Sequence, residues 1–299
     1  MRPAGDAVYV SPHRHAAANR ALSRHLKRND VMLKLTRSIL AALVCASCST
    51  AALAKDVTVM ISGGFKAALE KLAPEYEAQS GDKIILVSGP SMGKTPQAIP
   101  ARLARGEQAD VLIMVGDALT QLEKERWTQP GSRVELADSP IGMVVKQGAP
   151  KPVVKTDADL RNVLLQADSF AYSDSASGRY VSGQLFKKLG IEEQVKGKAH
   201  KVERIPVASE VALGKYALGF QQVSELLPVA GVTFIGELPE NVQYITRFAG
   251  AVTAKAEHRR EGKALLDFLT SSQAQPTIRA TGMRTVPAPQ PVRQSDTVQ

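Results

Sequence analysis

From Asp56 onward, short apolar runs alternate with amphipathic segments, and the alternation begins a second time after Pro152. Asp56–Ile61 (DVTVMI) reads as a buried strand. Residues 65–79 then set Ala67, Ala68, Leu69, Leu72, Ala73 and Tyr76 at helical spacing and end at Ser80-Gly81. Residues 83–87 (KIILV) are a second strand, 96–105 a helix, 109–115 (ADVLIMV) a third strand and 117–127 another helix. Alternation of this kind calls for a largely parallel sheet with helices on its faces. After the restart, 156–167 reads as a helix, 169–173 as a strand, and 175–189 as a helix closed by Gly190. Residues 211–217 follow as a helix, 218–221 and 231–235 as strands, and 259–271 as the last helix. Two long extended stretches, 133–146 and 242–253, bracket this second unit. The expectation is an α/β fold of two lobes joined by two crossover segments, with a ligand crevice between them faced by the carboxyl ends of the strands. The first lobe is expected at 55–138 plus 249–299 and the second at 139–248.

The first 54 residues read as a leader. Residues 32–37 (MLKLTR) are a short basic region, 38–46 a mainly apolar core, and Ala52-Leu53-Ala54 a small-residue cleavage site. The apolar run is short of the roughly 20 residues a membrane-spanning helix needs. Residues 1–31 read as a tail from an upstream start codon, because Met32 would begin a conventional signal. Cleavage after Ala54 and delivery to the periplasm follow; lipid attachment at Cys48 is the alternative, and Cys45 three places earlier fits it poorly. Eight of the 38 Lys and Arg and two of the 29 Asp and Glu lie in the leader, so +6 of the net +9 belongs there and +3 remains. Nucleic-acid binding inferred from the basic balance would therefore be an artefact, and no basic stripe with interleaved aromatics follows residue 54. Both cysteines, Cys45 and Cys48, also lie in the leader, which excludes thiolate catalysis and cysteine metal sites from the mature protein. No metal is expected.

Ser88–Gly93 followed by Lys94-Thr95 looks at first like a phosphate loop after a strand. The spacing rejects it: the motif needs a glycine five places before the Gly-Lys pair, where Ser88 stands, and Pro90 removes a backbone N–H from the cradle. Ser91-Met92-Gly93-Lys94 matches a Ser-x-x-Lys nucleophile pattern, but the companion motifs are missing. What remains is a turn at a helix start, whose N–H groups and dipole favour an anion. Ser62-Gly63-Gly64 and Ser173–Gly178 repeat that chemistry after two other strands. Serine is also the ordinary helix cap, so any one turn has a purely structural reading. Three such turns facing one crevice point instead to a small anion held by neutral donors. Asp174 and Lys94 are the candidates for a catalytic group, although nothing in the sequence singles either out. Gln222, in Gly219-Phe220-Gln221-Gln222, can bring an amide to the crevice or be a buried structural amide.

Across residues 55–285 the chain resembles the periplasmic solute-binding proteins of type II topology, in their molybdate-binding branch. The resemblance implies ligand contacts from Ser62 and Gly63 after the first strand and from Ser91, Met92 and Gly93 after the second. It further implies a backbone donor at Val115 or Gly116, and contacts from Ser175, Ala176 and Ser177 in the second lobe. The branch's pattern differs at Gln222, where it commonly offers a tyrosine hydroxyl, and in the composition of Ser173–Gly178, which points away from molybdate itself. The signatures GPSMGKTPQAIPARL (89–103), YSDSASG (172–178) and GFQQVSELLP (219–228) resemble a subgroup associated with bacterial aconitate isomerases. That resemblance implies a cofactor-independent allylic proton shift between trans- and cis-aconitate. The alternative is a transport subunit that binds molybdate, another oxyanion or a carboxylate and delivers it to a membrane ABC permease. Either way the expected partner is a small anion, and the protein is expected to be a monomer.

Overall fold

The computed structural model of the protein describes residues 54–286; the leader, apart from Ala54, and the expected tail of the first lobe beyond 286 lie outside the described residues. Ten strands within it form two five-stranded sheets of one design. In the first, β1 (Asp56–Ile61) pairs in parallel with β2 (Lys83–Ser88) and β3 (Val111–Val115). Strand β10 (Thr246–Val252) then runs antiparallel to β3 and to β4 (Val134–Ser139), giving the order β2-β1-β3-β10-β4. In the second, β6 (Phe170–Ser173) pairs in parallel with β7 (Ala199–Val202) and β8 (Leu218–Gln222). Strand β5 (Ile141–Lys146) lies antiparallel to β8 and β9 (Val232–Glu237), giving β7-β6-β8-β5-β9.

The reason for the apolar runs is visible in β3, all five of whose residues are buried. Val111, Ile113 and Val115 enter one core cluster, with Phe65, Leu69 and Leu72 of α1 (Gly63–Ser80) and Leu265, Leu266 and Leu269 of a C-terminal helix. Leu112 and Met114, on the opposite face, join Ile99 and Leu103 of α2 (Ile99–Ala104) and Leu119 and Leu122 of α3 (Gly116–Lys124). Side chains alternate faces along a strand, so a strand covered on both sides must be apolar throughout. In the second lobe α4 (Asp157–Gln166) packs Leu160 and Leu164 against Ile141, Met143 and Phe170. Helix α4 starts with a complete capping box between Thr156 and Asp159, which satisfies two of its otherwise unpaired first-turn donors.

Three elements depart from the sequence expectation. The helix expected over 175–189 is α5 (Ala176–Tyr180) followed by a π-turn over Val181–Leu185 and a last helical turn at Phe186–Lys188. The helix expected at 211–217 is α6 (Val207–Ala212), started by Pro206 and stopped before Gly214, which takes φ 77°. Strand β7 was unforeseen: its pattern includes the exposed His200 and Lys201 of a sheet edge. Three further helices also lie outside the expected set: a single turn at Glu192–Val195, α7 (Val223–Leu226) and, after α8 (Arg259–Thr270), α9 (Gln275–Ala280).

Both crossovers between the sheets are clamped. The first passes through Ser139-Pro140-Ile141 from β4 to β5, and the second leads from β9 to β10. Gln243 on the second accepts from the Ile141 N–H at 2.9 Å and donates to the Ile141 carbonyl at 3.0 Å. Across the crevice, the Ser224 hydroxyl of α7 donates to the Gly64 carbonyl of α1 at 2.6 Å. The two lobes are therefore in contact, with the carboxyl ends of β1, β3, β6 and β8 turned toward each other.

Candidate functional site

At the lobe contact lies a cavity of about 40 Å³ whose lining includes Ser62, Gly63, Ser91, Met92, Val115, Ser175, Ala176 and Gln222. Five strand-to-helix turns, three from the first lobe and two from the second, meet there. Ser62 is the N-cap of α1, yet its hydroxyl makes no cap hydrogen bond. That hydroxyl is buried without a partner among the described residues. A buried hydroxyl left unpaired is uncommon in a folded protein and marks a group kept for something else. Ser91 Oγ accepts from the Val115 N–H at 3.0 Å, which orients its own proton away from that bond. On the other lobe, Ser175 lies 2.7 Å from Ser173 and 3.3 Å from Ser177, hydroxyl to hydroxyl, and Ser173 and Ser177 are 3.1 Å apart. The arrangement offers hydroxyl donors to a small anion at the N-terminal end of the 18-residue helix α1, where first-turn N–H groups have no intrahelical partner.

Not every residue named from the sequence reaches this cavity. Ser177 is fully buried behind Ser175, and Gly116 packs against Arg133 and Arg247. Gly93 lines a neighbouring groove of about 260 Å³ together with Met92 and Asp174. The Val115 N–H is engaged by Ser91 rather than open to the cavity. Gln222 lines the cavity, but its amide is bonded to the crossovers. With the amide oriented to suit its neighbours, it accepts from Thr246 Oγ1 at 2.8 Å and donates to Ser139 Oγ at 2.9 Å. Lys94 is exposed and lines none of these spaces. Asp174 does not line the small cavity. It lies in the wall of a larger adjoining chamber of about 420 Å³.

The structure adds a residue that sequence reasoning passed over. Glu225, in the first turn of α7, lines both the small cavity and the chamber. Its Oε2 accepts from Gln221 Nε2 at 2.7 Å, and Gln221 is itself held by the Val207 N–H, which donates to its Oε1 at 2.9 Å. Across the crevice the same carboxyl presses on Gly63, where a β-carbon would lie 2.5 Å from Oε2. A side chain at position 63 would displace that carboxyl, and at Gly64, within the first lobe, a β-carbon would lie 2.2 Å from the Phe248 ring. Burial pushes the Glu225 carboxyl up to about 7; the Gln221 hydrogen bond opposes the shift and the charge of Asp174 adds to it. A carboxyl poised near neutrality beside an anion-binding nest is the arrangement expected of a general acid–base catalyst. A signal was present, since Glu225 follows a fourth strand by the same turn logic applied to the other three. What the chain order does not display is Gly63 arriving from the other lobe.

Comparisons with known proteins agree with this architecture. Residues 57–284 match the family described as bacterial extracellular solute-binding protein. Over 232 residues the chain is 43% identical to an aconitate isomerase from a Pseudomonas species, covering 78% of this chain and 88% of that protein. It is 29% identical over 241 residues to a molybdate-binding protein of Azotobacter vinelandii, covering 78% of this chain and 91% of the other. The solved structure of the periplasmic molybdate-binding protein of Azotobacter vinelandii superposes with a TM-score of 0.65 at 20% identity, covering 78% of this chain and all of that one. The chain belongs to the bacterial extracellular solute-binding protein family, with the fold of the periplasmic molybdate-binding protein it superposes on.

Proposed function

We propose that this protein is a periplasmic, cofactor-independent isomerase of aconitate, moving a proton along the allyl system to convert trans- to cis-aconitate. The observation that carries this reading is the Glu225 carboxyl, part-buried at the junction of the hydroxyl nest and the chamber and raised to about 7. Its Pseudomonas relative, named an aconitate isomerase, supports the choice of substrate. In the proposed reaction, ionised Glu225 takes a proton from the substrate methylene. The electron pair left behind spreads over the allyl carbons and the adjacent carboxylate as a dienolate. Glu225 then returns the proton to the far allylic carbon, so the double bond moves and no atom is gained or lost. Ser62, Ser91 and Ser175 would hold the carboxylate on which charge develops, and preorganised donors there stabilise the transition state more than the ground state.

The transport alternative needs no base. Molybdate and aconitate are both anions and would both face the Glu225 carboxyl in the small cavity, with Asp174 acting on Glu225 by charge, so like-charge repulsion bears on either ligand and turnover is what separates the two readings. The deciding experiment is turnover by purified protein without metal or nucleotide. Conversion of trans- to cis-aconitate is expected, with deuterium from heavy water entering the shifted position. Tight molybdate binding without any conversion over hours would reject the isomerase.

Ser62→Ala tests the nest. Losing a hydroxyl donor to a charged ligand group is expected to weaken aconitate binding by about 1.5–3 kcal/mol. Because the buried hydroxyl has no partner among the described residues, thermal stability is expected to be unchanged or to rise slightly. Calorimetric titration beside a thermal melt reads both; unchanged affinity places the nest elsewhere.

A further inference from the structure

The small cavity admits one compact group, whereas the adjoining chamber of about 420 Å³ has room for much more. Gly63, Pro90, Ser175 and Glu225 stand in the walls of both, so the Glu225 carboxyl lies at the junction of the two spaces. The chamber's cations are Lys66 and Arg204. Lys66 is ion-paired with Glu70 one turn along α1. Arg204 is different. It sits in the turn between β7 and α6 with φ 68°, a left-handed backbone rarely taken by a side-chain-bearing residue. Its neighbour Glu203 is paired with Lys201 at 2.7 Å, and no hydrogen bond or ion pair of the Arg204 side chain forms among the described residues. The turn is anchored on both sides. Before it, the Asp174 N–H donates to the Val202 carbonyl; after it, the Val207 N–H donates to Gln221. Arg204, exposed and with no side-chain partner among the described residues, thus stands in the chamber lining on a turn whose ends are fixed.

We infer that Arg204 docks a second substrate carboxylate, making the chamber the subsite that selects di- and tricarboxylates over single small oxyanions. The inference rests on the isomerase reading for the identity of the substrate, though not for the existence of the subsite. A guanidinium presents parallel N–H donors that match a carboxylate's two oxygens. With one carboxylate in the hydroxyl nest and another on Arg204, the carbons between them lie beside Glu225, where the proton must leave and return.

The test uses two unreactive probes, propane-1,2,3-tricarboxylate and glutarate, which lacks the central carboxylate, titrated calorimetrically into wild type, Arg204→Ala and Arg204→Gly. Glycine relaxes the left-handed backbone while removing the guanidinium, so a loss shared by both variants is not a folding effect. Wild type is expected to bind the tricarboxylate, and both variants to bind it about tenfold more weakly, the scale of one charge-assisted hydrogen-bonded contact. With trans-aconitate the loss should appear in KM far more than in kcat. Unchanged tricarboxylate affinity in both variants overturns the inference, as does failure of wild type to bind either probe. Tricarboxylate binding that depends on Arg204 in a protein that never converts aconitate would reject the isomerase and leave the subsite standing.

Discussion

Glu225→Gln is expected to reduce kcat for aconitate isomerisation by about 10²–10⁴-fold, the usual contribution of a positioned general base. Glutamine keeps the length and shape of the side chain and still offers an oxygen to Gln221 Nε2, so the local packing against Gly63 should survive. What it removes is the ability to accept and return a proton. Substrate affinity should change little or improve, because the variant no longer places a negative charge in the cavity beside an anionic ligand. The pair of readouts matters: a fall in kcat with retained binding assigns Glu225 to the chemical step, whereas parallel losses in both would make it a structural residue. In the wild type, kcat/KM should rise with pH through about 7 as the free base ionises. Asp174→Asn is the companion measurement. Full activity loss there, with Glu225→Gln still active, would transfer the role of base to Asp174.

Most of the framework was legible because its signals are local. Val111–Val115 is an unbroken apolar run and Asp56–Ile61 is largely one, interrupted by Thr58, and both lie between layers of helices. The serine turns after β1, β2 and β6 also carried their meaning in the chain itself, and Ser62, Ser91 and Ser175 converge on one cavity. Edges and junctions were harder to read. Ala199–Val202 pairs only along one side, and a run with His200 and Lys201 exposed has no alternating apolar pattern to reveal it. The π-turn at Val181–Leu185 inserts into a stretch whose composition suits an uninterrupted helix. Glu225 was invisible for a different reason. A glutamate in the first turn of a short helix ordinarily points to water, and what lies against this carboxyl is Gly63, far earlier in the chain. Gln222 shows the converse: it arrives where expected, but two crossover segments that only the fold brings together take up its amide.

The same carboxyl should make stability fall as pH rises. In the closed protein Glu225 is held at about 7, against 4.5 for the free side chain. The native state therefore keeps a proton between these values that the unfolded chain has released. Stability contributed by the neutral carboxyl is fully present below pH 4.5 and is lost as pH rises through about 7. The loss amounts to about 3 kcal/mol at most, because partial opening of the lobes would hydrate the carboxylate and limit it. The informative quantity is wild type minus Glu225→Gln. Denaturant unfolding at pH 5 and pH 8 should show the glutamine variant gaining relative stability by about 1–3 kcal/mol at the higher pH. Separation of the lobes exposes the carboxylate, so alkaline pH should also favour the open form of the ligand-free protein, measurable as an increased radius of gyration in solution scattering. A wild-type minus variant difference that stays constant from pH 5 to pH 8 would mean the carboxyl is hydrated in solution, and would remove the electrostatic basis for treating Glu225 as a base tuned by lobe closure.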